Sequence, residues 1–142
     1  MIEITELTHA DEEVFGQIRE LHEQLVLSNR TTSLEDVLAA IEDVHTTILV
    51  LKEGERIVGM GALVVFHLIT GNRGRLEDIV VSERYRGQGL GKRITSELVE
   101  RARKKGVQSL ELSSRPTRQA ASTLYEKLGF EPKETRVYFL NL

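Results

Sequence analysis

The stretch Arg84-Tyr-Arg-Gly-Gln-Gly-Leu-Gly-Lys92 constrains this chain more than any other. It separates an apolar run ending at Val81 from an amphipathic run beginning near Leu90. Glycines 87, 89 and 91 leave a row of backbone N–H groups with no Cβ to fend off a ligand. A helix starting there places those amides at the positive end of its dipole, where an anion is favoured. Arg84 and Arg86 before the glycines, and Lys92 and Arg93 after them, add mobile positive charge. A tight strand-to-helix turn needs one glycine, and three at alternate positions exceed that need. The segment reads as a pyrophosphate cradle.

Other glycine motifs fail on spacing. A Walker P-loop requires Gly-x-x-x-x-Gly-Lys-Ser/Thr, but Arg93 follows Lys92 and Arg86 stands where the first glycine belongs. A dinucleotide fingerprint requires Gly-x-Gly-x-x-Gly, and its third glycine would be Lys92 or Ile94. The spacing that fits is Arg86-x-x-Gly89-x-Gly91 after Glu77-Asp-Ile-Val-Val81.

Periodicity places the remaining elements. Residues 2–7 alternate as a half-buried strand. Thr8-x-x-Asp11 resembles a capping box for a helix that carries Val14, Ile18, Leu21 and Leu25 on one face to about residue 27, where Ser28-Asn29-Arg30-Thr31 breaks it. Ser33-x-x-Asp36 opens a second helix with Val37, Ala40, Ile41 and Val44 on one side. Residues 46–52 and 57–67 form a hairpin about Glu53-Gly54-Glu55. A loop at 71–74 leads to a strand at 76–81, apolar on both faces at its end, as a central strand should be. Leu90, Ile94, Leu98 and Ala102 recur every four residues and lay a stripe on the sheet. Lys104 and Lys105 suit that helix's C-terminus and Gly106 stops it. A strand at 107–112, a loop at Pro116, a helix over 117–128 stopped by Gly129, and strands at Phe130 and 137–142 complete the chain.

These 142 residues fit one domain, 1–142, large enough to bury roughly 68–70% of its unfolded surface. The unit from Leu76 to Leu112 is a βαβ crossover, so its two strands should be parallel and the other neighbours antiparallel. The fold class is therefore mixed α+β, with helices on both faces of the sheet. Nineteen basic against 22 acidic residues give a net charge of −3, which argues against nucleic acid as a partner. The chain has no cysteine, which excludes a cysteine nucleophile and fits the cytoplasm. His9, His22, His45 and His67 show no ligand spacing, so we expect no metal. No secretory signal or membrane-spanning run is visible, so we expect no membrane partner.

Arg86-x-x-Gly89-x-Gly91 resembles the Gln/Arg-x-x-Gly-x-Gly/Ala signature of the GNAT superfamily of N-acetyltransferases. Leu124-Tyr-Glu-Lys-Leu-Gly-Phe130 resembles that family's closing Tyr-Glu-Lys-x-Gly-Phe element, in the family's order. The resemblance covers residues 47–140 well and the first 45 by pattern alone. It implies a mostly antiparallel sheet of about seven strands whose parallel pair splays apart to admit the pantetheine arm of acetyl-CoA. It also implies that the amides of Arg86, Gly87, Gln88, Gly89, Gly91 and Lys92 hold the pyrophosphate, while Ile79 and Val81 offer backbone groups to the pantetheine. Glu77-Asp78-Ile79 resembles glucosamine-6-phosphate acetyltransferases, a three-residue match that cannot choose an amino sugar over a peptide, polyamine or drug amine. Many family members dimerise, so a second copy is a further candidate partner.

Acyl transfer to an amine needs a lone pair, and an amine with a pKa of about 10.4 is mostly charged at neutral pH. Glu77 and Asp78 stand at the mouth of the cradle strand. Strand neighbours point to opposite faces, so one of the two should face the acceptor. Glu77 is favoured as base or amine-binding group. Asp78, His67 and a water chain are rivals, and either carboxylate could instead pair with Arg73 or Arg75. Tyr125 holds the position where the family often keeps an acid for the departing thiolate; on periodicity alone it is an ordinary amphipathic helix residue. Arg118 stands near the place of a customary asparagine, so that residue's role does not carry over. Arg115 or Arg118 could meet a phosphate or an acidic acceptor, and a solvated helix-start arginine is the simpler account. The expected function is direct N-acetyl transfer from acetyl-CoA to a small-molecule or peptide amine. A non-catalytic acyl-CoA-binding domain and a protein-interaction module are the alternatives.

Overall fold

The computed structural model describes residues 1–25, 31–114 and 119–142. Its five-stranded sheet runs in the order β1-β2-β3-β4-β5. β1 (Ile2–Glu6), β2 (Thr46–Glu53), β3 (Arg56–Leu68) and β4 (Gly71–Val81) pair antiparallel in succession. β5 (Ser109–Glu111) joins β4 in parallel, as the crossover requires. Helices α1 (Glu12–Leu25) and α2 (Leu34–Glu42) cover one face and α3 (Leu90–Lys104) the other. Helix α4 (Gln119–Lys127) lies against α3.

Alternation along the strands feeds two cores. Leu49, Leu51, Leu63 and Leu76 pack on the α3 stripe of Leu90, Ile94, Leu98 and Ala102. Val50, Met60 and Val80 meet Ile18, Leu21 and Val37 on the opposite face. The hairpin turns at Gly54-Glu55, with Gly54 left-handed at φ 59° and Glu53 opposite Arg56. Gly106, also left-handed, stops α3.

Local chemistry explains several departures from the sequence reading. The first helix is capped by Asp11, whose carboxylate accepts the Val14 N–H at 2.8 Å, rather than from Thr8. The second cap follows the pattern, Ser33 Oγ accepting the Asp36 N–H at 3.1 Å. Val44 lies beyond α2 and is exposed. Residues 71–74 are no loop: β4 begins at Gly71. Gly74 is a glycine because β5 packs over it, and a Cβ there would stand 2.7 Å from Leu110 Cδ2. Phe130 and residues 137–142 join no ladder, so the sheet has five strands where about seven were expected. Residues 26–30 and 115–118, including Arg115, Pro116, Thr117 and Arg118, lie outside the described residues.

Gly74→Val should destabilise the domain by about 1–3 kcal/mol, the usual range for overpacking, because Leu110, Val107 and Leu63 all crowd the site. Urea unfolding monitored by circular dichroism measures it, and an unchanged midpoint would contradict that packing.

Candidate active site

The parallel pair separates early. Arg73, Gly74 and Arg75 face Ser109, Leu110 and Glu111, and beyond Arg75 the ladder between β4 and β5 stops. From Leu76 to Val81, β4 keeps β3 on one side and has no strand partner on the other among the described residues. Backbone groups of Ile79 and Val81 thus lie along a strand with an open edge. This is the splayed pair that the resemblance implied.

The glycine loop follows that open edge. A 3-10 turn over Glu83–Tyr85 is fastened by Tyr85, whose hydroxyl donates to Glu53 Oε1 at 2.9 Å. That bond, with smaller effects of burial and nearby charge, holds the Tyr85 phenol above its ordinary pKa. Arg86 braces the loop: its Nε donates to the Val81 carbonyl at 3.1 Å and its N–H to the Glu83 carbonyl at 3.4 Å. Its amide is therefore already engaged, and the open part of the predicted 86–92 row starts at Gly87. Gly87 and Gly89 are left-handed, at φ 80° and 76°, and a Cβ on either would meet nothing within 4 Å. Backbone conformation demands these two glycines, and the space above them is free. Gly89 is the N-cap of α3 and supplies no side-chain cap. The first amides of α3 thus keep their positive potential in the absence of a capping oxygen. Gly91 answers to a different constraint: Leu124 of α4 lies 3.2 Å from where its Cβ would be.

Glu77 and Asp78 meet on one cleft because β4 carries a bulge. Ala62 pairs with Glu77 and Met60 with Val80, so Asp78 and Ile79 stand together opposite Gly61. Asp78 takes the extra step at φ 56°, a left-handed conformation that aspartate tolerates. Gly61 makes room, since a Cβ there would lie 2.9 Å from Leu98 Cδ1 and 3.2 Å from Ile79 Cγ1. Strict alternation would have sent the two carboxylates to opposite faces. The inserted residue lets both line a cleft of about 450 Å³ between α1, α2 and the sheet.

Within that cleft the two acids differ. Glu77 is tied to Arg75 by an Nε–Oε1 contact of 2.8 Å, one of the pairings the sequence allowed. Arg75 is held in turn by Glu111 and Ser113. Asp78 keeps surface open to the cleft, yet the surrounding walls withdraw its carboxyl from bulk water. That desolvation pushes its pKa up, the neighbouring Glu77 charge pushes it further, and His22 on α1 opposes the rise. Because the folded value lies above the unfolded one, Asp78 favours the fold most at low pH, and the benefit is lost as pH rises through the folded value. His67 lies elsewhere, exposed at the end of β3 with its ring 6.1 Å from that of His45.

Tyr125 is half-buried on α4, one residue after the Leu124 that meets Gly91. Its ring stands edge-on to Phe130 at 6.0 Å, and its carbonyl accepts the Phe130 N–H at 3.0 Å. The closing motif thus folds back on itself beside the start of α3, and Tyr125 is not part of the cleft wall. Among the described residues, no group of three or more His, Asp or Glu side chains is arranged to hold a metal.

The model of the Acetyltransferase (GNAT) family matches residues 8–130. Glucosamine 6-phosphate N-acetyltransferase of Trypanosoma brucei brucei is 40% identical over 85 residues, which cover 58% of this chain and 56% of that protein. The match thus spans about half of that relative's length. Mouse thialysine N-epsilon-acetyltransferase is 32% identical over 129 residues, covering 82% of this chain and 76% of its own. Among solved structures, an acetyltransferase of Trypanosoma brucei superposes with a TM-score of 0.81 at 30% identity, with full coverage of both chains.

The bulge geometry makes a prediction about charge. Glu77→Gln removes one of the two influences that raise Asp78, so the Asp78 carboxyl should titrate at lower pH in that variant. Carboxyl-carbon NMR titration reads this directly, and an unmoved midpoint would mean that the two side chains do not share the cleft.

Proposed function

The chain belongs to the GNAT acetyltransferase family, and from that premise we propose that it moves the acetyl group of acetyl-CoA directly to a primary amine in a ternary complex. One observation carries the reading. A single strand, β4, brings two carboxylates into a cleft, then runs along an open edge, and ends at a loop of unshielded amides. Those are the three needs of the reaction in spatial order: a proton acceptor, a rail for the pantetheine arm and a seat for the pyrophosphate.

The geometry and the family resemblance support the following roles. Amides from Gly87 to Lys92 take the pyrophosphate, with Arg86 as brace. Ile79 and Val81 meet the pantetheine through their backbone. The acceptor enters the cleft as an ammonium and gives up a proton, and its nitrogen then attacks the acetyl carbon while the carbon–sulfur bond breaks. Asp78 is better suited than Glu77 to take that proton, since a raised pKa makes a stronger base and no arginine among the described residues pairs with it. Glu77 then serves as the charge that tunes it. Tyr125 lies outside the cleft wall, and it is the resemblance of its motif to the family's closing element that supports it as the proton donor to the departing sulfur. Two relatives are named for glucosamine 6-phosphate and thialysine, both of which carry an amine, and this supports reading the acceptor of this chain as an amine.

Calorimetric titration tests the reading. Acetyl-CoA should bind saturably where ATP does not, and a folded sample that binds neither acetyl-CoA nor CoA would overturn it. Gly89→Asp should abolish that binding while the domain stays folded, because aspartate accepts a left-handed N-cap but repels phosphate. Normal acetyl-CoA affinity in this variant would remove the cradle assignment.

Kinetics separate the two proton-transfer groups. Asp78→Asn should lower kcat by about 10²–10⁴-fold with cofactor affinity intact, the usual range for a general base. Wild-type rate should fall on the acid side with an inflection above the ordinary carboxylate range, and Asp78→Asn should lose that limb. Tyr125→Phe should bind acetyl-CoA normally and turn over more slowly. Rates unchanged across pH in either variant would withdraw that residue's role.

A further inference from the structure

We infer that the cleft beside Glu77 and Asp78 takes an unphosphorylated primary ammonium carried on a hydrocarbon body. The inference rests on the acetyl-transfer reading, whose acceptor it narrows from amines at large to one chemical class. Two observations carry it: uncovered apolar surface along the cleft, and the sign of the charge around it.

Strand alternation supplies the apolar surface. β2 turns Ile48 and Val50 toward α1 and α2, and β3 turns Met60, Ala62 and Val64 the same way. Val50 and Met60 are sealed beneath the helices by Ile18 and Val37. Ile48 and Val64, by contrast, are only half-buried, as are Leu7 after β1 and Ala40 on α2. Half-buried hydrocarbon from four separate segments forms a wall that a ligand's own hydrocarbon can cover. Each methylene buried there should tighten binding by up to about fourfold. A sugar body fares worse, because each hydroxyl taken from water needs a new partner. Thr46 on the cleft wall already donates its hydroxyl proton to Asp43 Oδ2 at 2.7 Å.

Charge selects against a second feature of a sugar phosphate. Three carboxylates border the cleft, Glu77 and Asp78 from β4 and Asp36 from the first turn of α2. Among the described residues of the wall, His22 is the one basic side chain. Arg75 pairs with Glu77, but it does not line the cleft and is also engaged by Glu111 and Ser113. A cation entering this wall is attracted, and a phosphate dianion is repelled. Hydrocarbon and charge together therefore separate an alkylammonium from an amino-sugar phosphate, although both present a primary amine.

The chain has two methionines, Met1 at the exposed terminus and Met60 on the cleft floor, so a labelled Met60 methyl reports the cleft by NMR. The protein is titrated, with and without CoA, with butylamine, hexylamine and glucosamine 6-phosphate. Hexylamine should shift the Met60 signal and bind about tenfold tighter than butylamine, through two further buried methylenes. Glucosamine 6-phosphate should bind more weakly than hexylamine. Equal affinity for the two alkylamines, glucosamine 6-phosphate binding as tightly as hexylamine, or a Met60 signal that no amine moves in either state would overturn the inference. Ala40→Lys sets a cation on the same wall from a helical position, and it should weaken hexylamine and strengthen glucosamine 6-phosphate with unchanged circular dichroism. An unaltered preference in that folded variant would also overturn it. Failure of the acetyl-transfer reading looks different: acetyl-CoA then does not bind, while the Met60 response to hexylamine persists. Acetyl transfer to glucosamine 6-phosphate in preference to hexylamine would keep that reading and overturn this inference.

Discussion

Everything of chemical interest in this fold hangs on the shift of pairing between β3 and β4 opposite Gly61. Without the extra residue, Glu77 and Asp78 would face opposite ways, and one would be driven into the leucine-rich core beneath α3. With it, both carboxylates share the cleft while Ile79 and Val81 still return to the α3 side. The bulge is possible because three local choices agree. Asp78 tolerates a left-handed backbone, Gly61 presents no Cβ, and Leu98 fills the space so created. A side chain at 61 would compete with Ile79 and Leu98 for one volume, so the cleft's chemistry depends on packing across the opposite face of the sheet.

Much of this could be read in the sequence, and the unread parts share a cause. The α3 stripe, the Ser33 cap, the Gly54 turn and the glycine loop are local, each set by residues within one or two turns of chain. The bulge is not local. Apolar residues 79–81 look like a strand in either register, and only the partner strand reveals that one residue of β4 is surplus. Gly71 and Gly74 looked like loop punctuation because glycine usually marks a break. At Gly74 the cause was the close approach of Leu110, a residue 36 positions later. Residues 137–142 carry side chains of the types found in strands, but composition does not supply a ladder partner, and none forms there among the described residues.

The two halves of the proposed cofactor path depend on different atoms. Arginine is the obvious residue for a phosphate, yet Arg86 spends its Nε on the Val81 carbonyl and its amide on Glu83. Under the proposed reading, phosphate recognition draws on the backbone of a helix start, which is fixed in position and loses no side-chain entropy on binding. Such a cradle recognises phosphate without distinguishing what is attached to it. The proposed reading places discrimination at the open edge of β4, where a ligand with an amide-bearing arm can complete a ladder and a nucleotide triphosphate cannot.

The pairing of the acids follows the same logic of prior commitment. Arg75 stands two residues before Glu77, on the same side of β4, and claims it before any ligand arrives. Asp78, one residue on, is displaced by the bulge and has no arginine or lysine partner among the described residues, only the more distant field of His22. Two neighbouring carboxylates with equal environments would share a proton ambiguously. Here Arg75 pairs with one of them, and the neighbouring Glu77 charge adds to burial in raising the affinity of Asp78 for the proton. In the proposed reaction, an arriving ammonium meets a charge that attracts it and a neighbouring carboxylate suited to take its proton. Adjacent residues acquire these different duties through one arginine and one extra residue in a strand.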